Sequence, residues 1–271
     1  MQPLYDSREA AAIAKLYVQC KQDLPAYELA LRGGEELPAA EVEAFGKDVA
    51  RLQKGCPLQY VLGYADFYGF EFEVTPDTLI PRPETEELVQ RVVEICQGME
   101  NPRIWDVGTG SGCIAISLAK QLPQARVYAT DVSEAALMVA KRNADRNDAS
   151  VTFACHDMCD VVNLPFENTQ FDIVVSNPPY IPQSVRGQMH VNVREFEPAG
   201  ALFVPDDRPL LYYEALAKLS YKVLHPQGYC FMETFDDYHD EMSVLFLSEN
   251  FSFVASHTDL NGKPRIFIAQ K

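Results

Sequence analysis

One ten-residue stretch, residues 171–180, combines a strand pattern with polar groups suited to binding a planar amino group. Its apolar first half predicts a buried β-strand, which ends at Asn177 because the prolines at 178 and 179 donate no backbone hydrogen bond. In an open α/β sheet, ligands bind at the carboxyl ends of the strands. The Asn177 amide oxygen and the Pro178 carbonyl can accept two hydrogens from an NH2 group, while the Tyr180 ring covers its face. The alternative is a strand that ends in a Pro-Pro turn.

A glycine-rich loop, Gly108-Thr109-Gly110-Ser111-Gly112, joins the predicted strand 103–107 to an apolar helix. Such a turn lets a ligand approach the backbone closely. A dinucleotide-binding fingerprint would require glycine at 113, where this chain has Cys113. The shorter spacing is common in folds that bind S-adenosylmethionine. A purely structural turn is the alternative.

Two carboxylates follow the next two predicted strands. Asp131 ends the strand at 126–131, where it could accept hydrogen bonds from both hydroxyls of a ribose. Asp157 follows the strand at 151–155 and is placed for an adenine amino group, with Met158 packing on the ring. The alternatives are a helix N-cap for Asp131, a role that Ser133 could fill, and an ordinary loop acid for Asp157.

Strands and helices alternate after residue 101, which predicts a parallel sheet covered by helices. The last two strands follow each other directly and should form an antiparallel pair at one edge of the sheet. The predicted strands are Arg103–Val107, Arg126–Asp131, Val151–Cys155, Phe171–Ser176, Gly228–Glu233, Phe251–Ser256 and Arg265–Ala269. The predicted helices are residues 84–98, Cys113–Gln121, Glu134–Asn147, Leu210–Leu224 and Tyr238–Glu249.

The first 78 residues have a different pattern. Helical periodicity over residues 5–54 predicts three helices, with Asp23 and Pro25 starting the second and Gly33-Gly34 ending it. From Leu58 to Val74 the pattern has period two, which predicts a β-hairpin turning near Tyr68-Gly69. We therefore predict a helical domain at 1–56, a hairpin connector at 57–78 and a catalytic domain at 79–271. The helical domain is either a recognition module or a packing module.

The formal net charge of −16, from 39 acidic and 23 basic residues, argues against direct binding of free nucleic acid. The seven cysteines show no C-x-x-C pattern, so reduced thiols are expected rather than a metal site or disulfides. No apolar run approaches the roughly 18 residues that a membrane span needs. Together with the absence of a signal-peptide pattern at the first residues, this predicts a cytoplasmic protein that does not interact with membranes.

The sequence resembles the class I S-adenosylmethionine-dependent methyltransferases that carry Asn-Pro-Pro-Tyr, and more narrowly the release-factor glutamine N5-methyltransferases. The resemblance covers nearly the whole chain, and Asn-Pro-Pro-Tyr alone is shared with nucleic-acid amino-group methyltransferases. The segments that carry it are Pro57–Gly63 with the aromatic hairpin, residues 78–86 (Thr-Leu-Ile-Pro-Arg-Pro-Glu-Thr-Glu), residues 106–112, residues 175–181 and residues 193–198 (Val-Arg-Glu-Phe-Glu-Pro).

The resemblance implies an α/β, Rossmann-like fold with a seven-stranded sheet whose last strand is antiparallel, and a small helical domain that helps to hold a peptide chain release factor. The glutamine of that factor's Gly-Gly-Gln loop would receive a methyl group from S-adenosylmethionine, leaving S-adenosylhomocysteine. Catalysis is expected from Asn177, Pro178 and Tyr180, which bind substrate together with Pro179. Cofactor binding is expected from residues 108–112, Asp131, Asp157, Met158 and Asn177.

Several readings stay open at this point. Arg82 and Glu84 either close the entrance over the cofactor or form an interdomain salt bridge, and the charges at 194–197 either orient the segment after the catalytic turn or are surface charge. Met158 departs from the bulkier aromatic that relatives often have there. The substrate could instead be a glutamine of a ribosomal protein, or the chain could bind the cofactor without catalysis. A dehydrogenase is disfavoured by Cys113.

Overall fold

The computed structural model describes residues 4–31, 34, 36, 38–166, 168–235, 238–259 and 262–271, and its N-terminal part is helical as predicted. Asp23 does not start the second helix, so that prediction is wrong. It ends the first helix with φ 49°, a left-handed conformation that Asp tolerates better than most residues. Gly33, part of the predicted end of the second helix, lies outside the described residues. The helices are α1 (Ser7–Gln22), α2 (Ala26–Leu31), α3 (Ala39–Gln53) and α4 (Leu58–Leu62).

The hairpin, β1 (Tyr64–Phe67) and β2 (Phe70–Glu73), turns at Tyr68-Gly69 as predicted. Both turn residues have positive φ, 51° and 79°, which matches the twist of a two-residue hairpin. The prediction that extended structure begins at Leu58 is wrong, because residues 58–62 form α4. The adjacent residues Tyr60 and Val61 are both buried there, and alternation in a strand would have exposed one of them.

The strands after residue 101 are β3 (Arg103–Val107), β4 (Arg126–Asp131), β5 (Val151–Cys155), β6 (Phe171–Ser176), β7 (Ile181–Pro182), β8 (Phe203–Val204), β9 (Leu224–Glu233), β10 (Phe253–Thr258) and β11 (Pro264–Gln270). Seven of them form one sheet, as predicted, while β7 and β8 form a separate short pair. The spatial order of the sheet is β10-β11-β9-β6-β3-β4-β5, and β11 runs antiparallel to both of its neighbours. The other neighbouring pairs in the sheet are parallel.

The helices after the hairpin are α5 (Pro83–Cys96), α6 (Cys113–Gln121), α7 (Glu134–Arg146), α8 (Val191–Phe196), α9 (Leu211–Val223) and α10 (His239–Ser248). Five of them cover the two faces of the sheet and bury the apolar side chains of its central strands. On one face α5, α6 and α7 pack against residues such as Ile104 and Ile173, and on the other α9 and α10 pack against residues such as Trp105 and Val174. Among the described residues, no helix is both long and apolar enough to cross a bilayer.

The order of the strands creates a switch point between β3 and β6. From β3 the chain proceeds through β4 and β5 on one side, and it then returns to β6 and β9 on the other side. The helices that follow β3 and β6 therefore diverge, which leaves a crevice at the carboxyl ends of these two strands. The glycine loop and Asn177 are the segments that border this crevice.

Candidate active site

The crevice is held together directly beneath the two loops that form it. Ser176, the last residue of β6, donates a 2.6 Å hydrogen bond from its hydroxyl to the carbonyl of Val107, the last residue of β3. Asn143 on α7 donates to the carbonyl of Ser111 at 2.8 Å and also bonds the backbone of Glu73 in the hairpin. The glycine loop is thus fixed from below by the sheet and from the side by α7 and the hairpin.

The loop uses its glycines for two different purposes. Gly112 has φ 83°, and a Cβ there would lie 2.9 Å from Ile116 Cδ1 and 3.2 Å from the Cβ of Ala140, so this glycine allows α6 and α7 to pack closely. Gly110 has φ 55° and open space where its Cβ would be. Its N–H donates to Asp131 at 2.8 Å. Gly110 therefore leaves room for a ligand, whereas Gly112 serves packing.

A cavity of about 460 Å³ lies over the loop. It brings together most of the predicted cofactor-binding residues from the ends of β3, β4, β5 and β6, but Gly112 is not on its wall. Residues that the sequence analysis did not select for this site also line it, among them Thr85, His156 and Tyr212. The predicted residues on its wall are Gly108, Thr109, Gly110, Ser111, Asp131, Asp157, Met158, Asn177 and Pro179.

The two predicted carboxylates are oriented by backbone N–H groups. Asp131 accepts from Gly110 and from Ser133 at 2.9 Å, and burial raises the pKa of its carboxyl. Ser133 caps α7 through a bond from Ala136, so it takes the capping role that was the alternative for Asp131. Asp157 accepts from the N–H of Cys159 at 2.9 Å.

Two polar atoms on the cavity wall are buried without a hydrogen-bond partner among the described residues: Ser111 Oγ and His156 Nδ1. Buried polar atoms are nearly always paired in folded proteins. Both atoms are shielded from solvent, so they are exceptions to this rule that lie behind the surface of the cavity. Met158 lies on the same wall, with its Cε 3.1 Å from where a Cβ on Gly108 would be, so the thioether borders the glycine loop.

A second, smaller cavity of about 250 Å³ lies on the other side of Asn177. Pro178, Tyr180 and Met189 line this second cavity but not the first. Asn177 lines both cavities, so this residue lies at their junction. The other residues shared by the two cavities are Leu79, Arg82 and Ala201.

A chain of hydrogen bonds connects Asn177 to Tyr180 through the protein interior. Asn177 Nδ2 donates to Thr85 Oγ1 at 3.2 Å, and Thr85 Oγ1 donates to Glu233 Oε2 at 2.6 Å. The Tyr180 hydroxyl donates to Glu233 Oε1 at 2.9 Å. Neither Thr85 nor Glu233 is predicted as a site residue from the sequence. Each had one weak signal, Thr85 as part of the segment at 78–86 and Glu233 as the acidic end of a strand.

Glu233 is only 3% exposed, and burial raises the pKa of its carboxyl. The positive charge of Arg265 and the two hydroxyl bonds act in the opposite direction, while the charge of Glu84 adds to the rise in pKa. Burial, together with the bond to Glu233, also raises the pKa of the Tyr180 hydroxyl, which therefore stays protonated and remains a hydrogen-bond donor.

Arg82 forms a salt bridge with Glu197, with Nη2 and Oε1 2.5 Å apart. Glu197 also accepts from the N–H of Ile80 at 3.2 Å, and its side chain is 1% exposed. Glu197 therefore connects the segment before α5 to the segment after the Asn-Pro-Pro-Tyr turn, which agrees with the orienting role that was one of its two predicted roles. Arg194 and Glu195 instead pair with each other at the surface.

A doubly wound sheet with this strand order, a glycine loop and an Asn-Pro-Pro-Tyr turn at its switch point defines a class I methyltransferase. The family model described as "Methyltransferase small domain" matches residues 85–224, and the model described as "PrmC N-terminal domain" matches residues 5–63.

Relatives that match along most of their length identify the family within this class. The chain is 39% identical over 274 aligned positions to the release factor glutamine methyltransferase of Bacteroides thetaiotaomicron, covering 100% of this chain and 96% of the relative. It is 36% identical to the enzyme of the same name from Flavobacterium psychrophilum, covering 97% and 92% of the two chains. The chain belongs to the release factor glutamine methyltransferase family and is an S-adenosylmethionine-dependent methyltransferase by class.

Solved structures agree on the fold. The hMettl16 catalytic domain, solved with an RNA hairpin, matches with a TM-score of 0.61 at 16% identity, covering 79% of this chain and 77% of that one. The 16S rRNA N2 G1207 methyltransferase of T. thermophilus, solved with AdoMet and guanosine, matches with a TM-score of 0.53 at 18% identity, covering 77% and 49%. Identities this low support the fold and nothing about substrates.

Proposed function

We propose that this protein transfers a methyl group from S-adenosylmethionine to the side-chain amide nitrogen of the glutamine in the Gly-Gly-Gln loop of peptide chain release factors, and so modulates translation termination. The observation that carries the proposal is the position of Asn177, an amide at the junction of two cavities. The relatives that match along most of their length are release factor glutamine methyltransferases, which supports the choice of release factors as substrate and partner.

The residues around the larger cavity fit S-adenosylmethionine. Asp131 has lone pairs available for ribose hydroxyls beyond its two backbone bonds, and Asp157 and Met158 supply an acceptor and a packing surface for adenine. When bound, the cofactor supplies an electrophilic methyl group on a sulfonium that is a good leaving group.

The smaller cavity is the proposed site of the glutamine side chain. A carboxamide nitrogen is a poor nucleophile because its lone pair is delocalised into the carbonyl. Asn177 Oδ1 and the Pro178 carbonyl accept its two hydrogens, and Tyr180, lying beside Pro179, covers the amide plane. These acceptors hold the nitrogen in line with the methyl group and bind it more strongly as it becomes tetrahedral and partly positive. The methylated nitrogen then releases one proton to water, which restores a neutral amide and leaves S-adenosylhomocysteine as the second product.

The test is transfer of label from methyl-labelled S-adenosylmethionine to a purified release factor. A second release factor, with the glutamine of its Gly-Gly-Gln loop replaced, is the matched control. Label on the first and none on the second is the expected result. Label on neither factor, with cofactor binding still measurable by calorimetry, would contradict the proposed substrate. Label on a ribosomal protein under the same conditions would replace it.

A further inference from the structure

We propose that Glu233 and Thr85 are positioning residues that determine which end of the Asn177 side-chain amide faces the substrate. The inference rests on the proposed function, because it concerns the acceptor for the substrate's NH2 group. It assigns a role to two residues that lie 148 positions apart in the chain and meet at 2.6 Å. Both are buried, with Thr85 2% exposed and Glu233 3% exposed.

The polarity of the hydrogen-bond chain carries the argument. An ionised carboxylate can only accept hydrogen bonds, so Thr85 must direct its single hydroxyl proton at Glu233. The Thr85 oxygen can then offer only a lone pair to its other neighbour. That neighbour is the Asn177 amide at 3.2 Å, so its NH2 end must face Thr85. The oxygen of Asn177 is left as the free end of the amide.

The opposite orientation is disfavoured at both ends of the amide. If the Asn177 amide were rotated by 180°, its oxygen would face the Thr85 oxygen, whose proton is already donated to Glu233. Two buried acceptors would then face each other without a hydrogen bond, which is costly. It would also present NH2 to the substrate's NH2, so two donors would meet. A mis-turned Asn177 therefore lacks the acceptor that the reaction needs.

The same carboxylate also holds the other side of the site. Its second oxygen accepts from the Tyr180 hydroxyl at 2.9 Å, so one buried group fixes both the amide and the ring. Both Glu233 oxygens already have partners, although Glu233 lies on the wall of the smaller cavity. This supports a role that acts through Asn177 and Tyr180 instead of through direct contact with the reacting nitrogen.

The decisive variant is Glu233→Gln, which preserves shape but adds a donor. The glutamine oxygen should keep accepting from the Tyr180 hydroxyl, so its NH2 faces Thr85. This NH2 donates to Thr85, which frees the threonine proton to bond the Asn177 oxygen and turns that amide round. We expect kcat for methyl transfer to fall by roughly 10²-fold, as for loss of one transition-state contact. The Kd of the cofactor and the melting temperature should stay near their starting values, because Glu233 does not line the cofactor cavity and the change removes a buried charge.

Variants of Thr85 separate positioning from packing. Thr85→Val keeps the shape and removes the lone pair, and should lose transfer as Glu233→Gln does. Thr85→Ser keeps the hydroxyl and should recover most of the transfer that the valine variant loses. Ser220→Ala removes a buried hydroxyl that bonds Cys230 and lines neither cavity, so it is the control for loss of a buried polar contact alone.

A second readout does not depend on the substrate. The side-chain NH2 signal of Asn177 in a ¹⁵N–¹H spectrum can be assigned by its loss in Asn177→Ala. The hydrogens of this NH2 group should exchange with solvent slowly in the parent and in Thr85→Ser. They should exchange with solvent quickly in Thr85→Val and Glu233→Gln. A loss of slow hydrogen exchange in these two variants would support the positioning role even if the release factor proves to be the wrong substrate. The proposal would be overturned if the rate of hydrogen exchange did not change in these two variants, or if Glu233→Gln kept the methyl-transfer rate of the parent. It would also be overturned if the transfer rate fell in each variant only in proportion to a fall in melting temperature.

Discussion

Replacing Asn177 with alanine removes the amide that lines both cavities and that Thr85 holds at 3.2 Å. The substrate's NH2 would keep the Pro178 carbonyl and lose its other acceptor. Removing one group that bonds the reacting centre more strongly in the transition state costs about 2.7–4 kcal/mol, or roughly 10²–10³-fold in kcat. Cofactor affinity should change far less, because Asp131 and the glycine loop are untouched.

The substitution also leaves the Thr85 lone pair without its donor, which should lower the free energy of unfolding by about 1 kcal/mol. Thermal unfolding measures that cost separately. The assay is label transfer to a release factor in a single turnover at saturating cofactor, with cofactor Kd from calorimetry. A kcat close to that of the parent would refute the role of Asn177. An equal loss of cofactor affinity would refute the division between the two cavities.

Three further predictions follow from the geometry. Asp131→Ala should weaken cofactor binding by roughly 10–100-fold, which is the range for hydrogen bonds to a charged group. The kcat at saturating cofactor should change little. Calorimetry measures the cofactor Kd, and saturation kinetics measure kcat. Gly112→Ala should lower the free energy of unfolding by about 1–3 kcal/mol, because the added Cβ would meet Ile116. Gly46→Ala in α3 should instead raise the free energy of unfolding by about 0.5–1 kcal/mol. Urea unfolding of both variants measures the two changes. Burial raises the pKa of Glu233, and the ionised form of Glu233 is the one that orients Thr85. We therefore expect kcat to fall as the pH drops through a value above the usual glutamate range, and this fall should disappear from the pH–kcat profile of Glu233→Gln. A fall in kcat that persists in the variant would contradict the assignment.

Much of the site could be predicted because it depends on local rules. The glycine loop and the Asn177 turn follow strands whose apolar runs are unambiguous, and the carboxyl ends of parallel strands meet at one edge. Asp131 and Asp157 were found for the same reason. The position of each residue relative to its own strand was sufficient for these predictions, and the structure places them around one cavity.

The partners that orient the site could not be found in this way. Thr85 and Glu233 come from α5 and the end of β9, and nothing local indicates that their side chains meet. The burial of Glu197 against Arg82 depends likewise on how two distant loops pack. The helix at Leu58–Leu62 was missed because a five-residue segment offers too little periodicity, and tertiary packing of Tyr60 decides its conformation.

The most direct test of the account is to find where the methyl group goes. Release factor incubated with this protein and S-adenosylmethionine would be digested, and the peptide that contains the Gly-Gly-Gln loop would be fragmented by mass spectrometry. We expect one added methyl group on the side-chain nitrogen of that glutamine, and much less of it after the same incubation time when Asn177→Ala replaces the parent. A methyl group on another residue, or on the backbone, would contradict it.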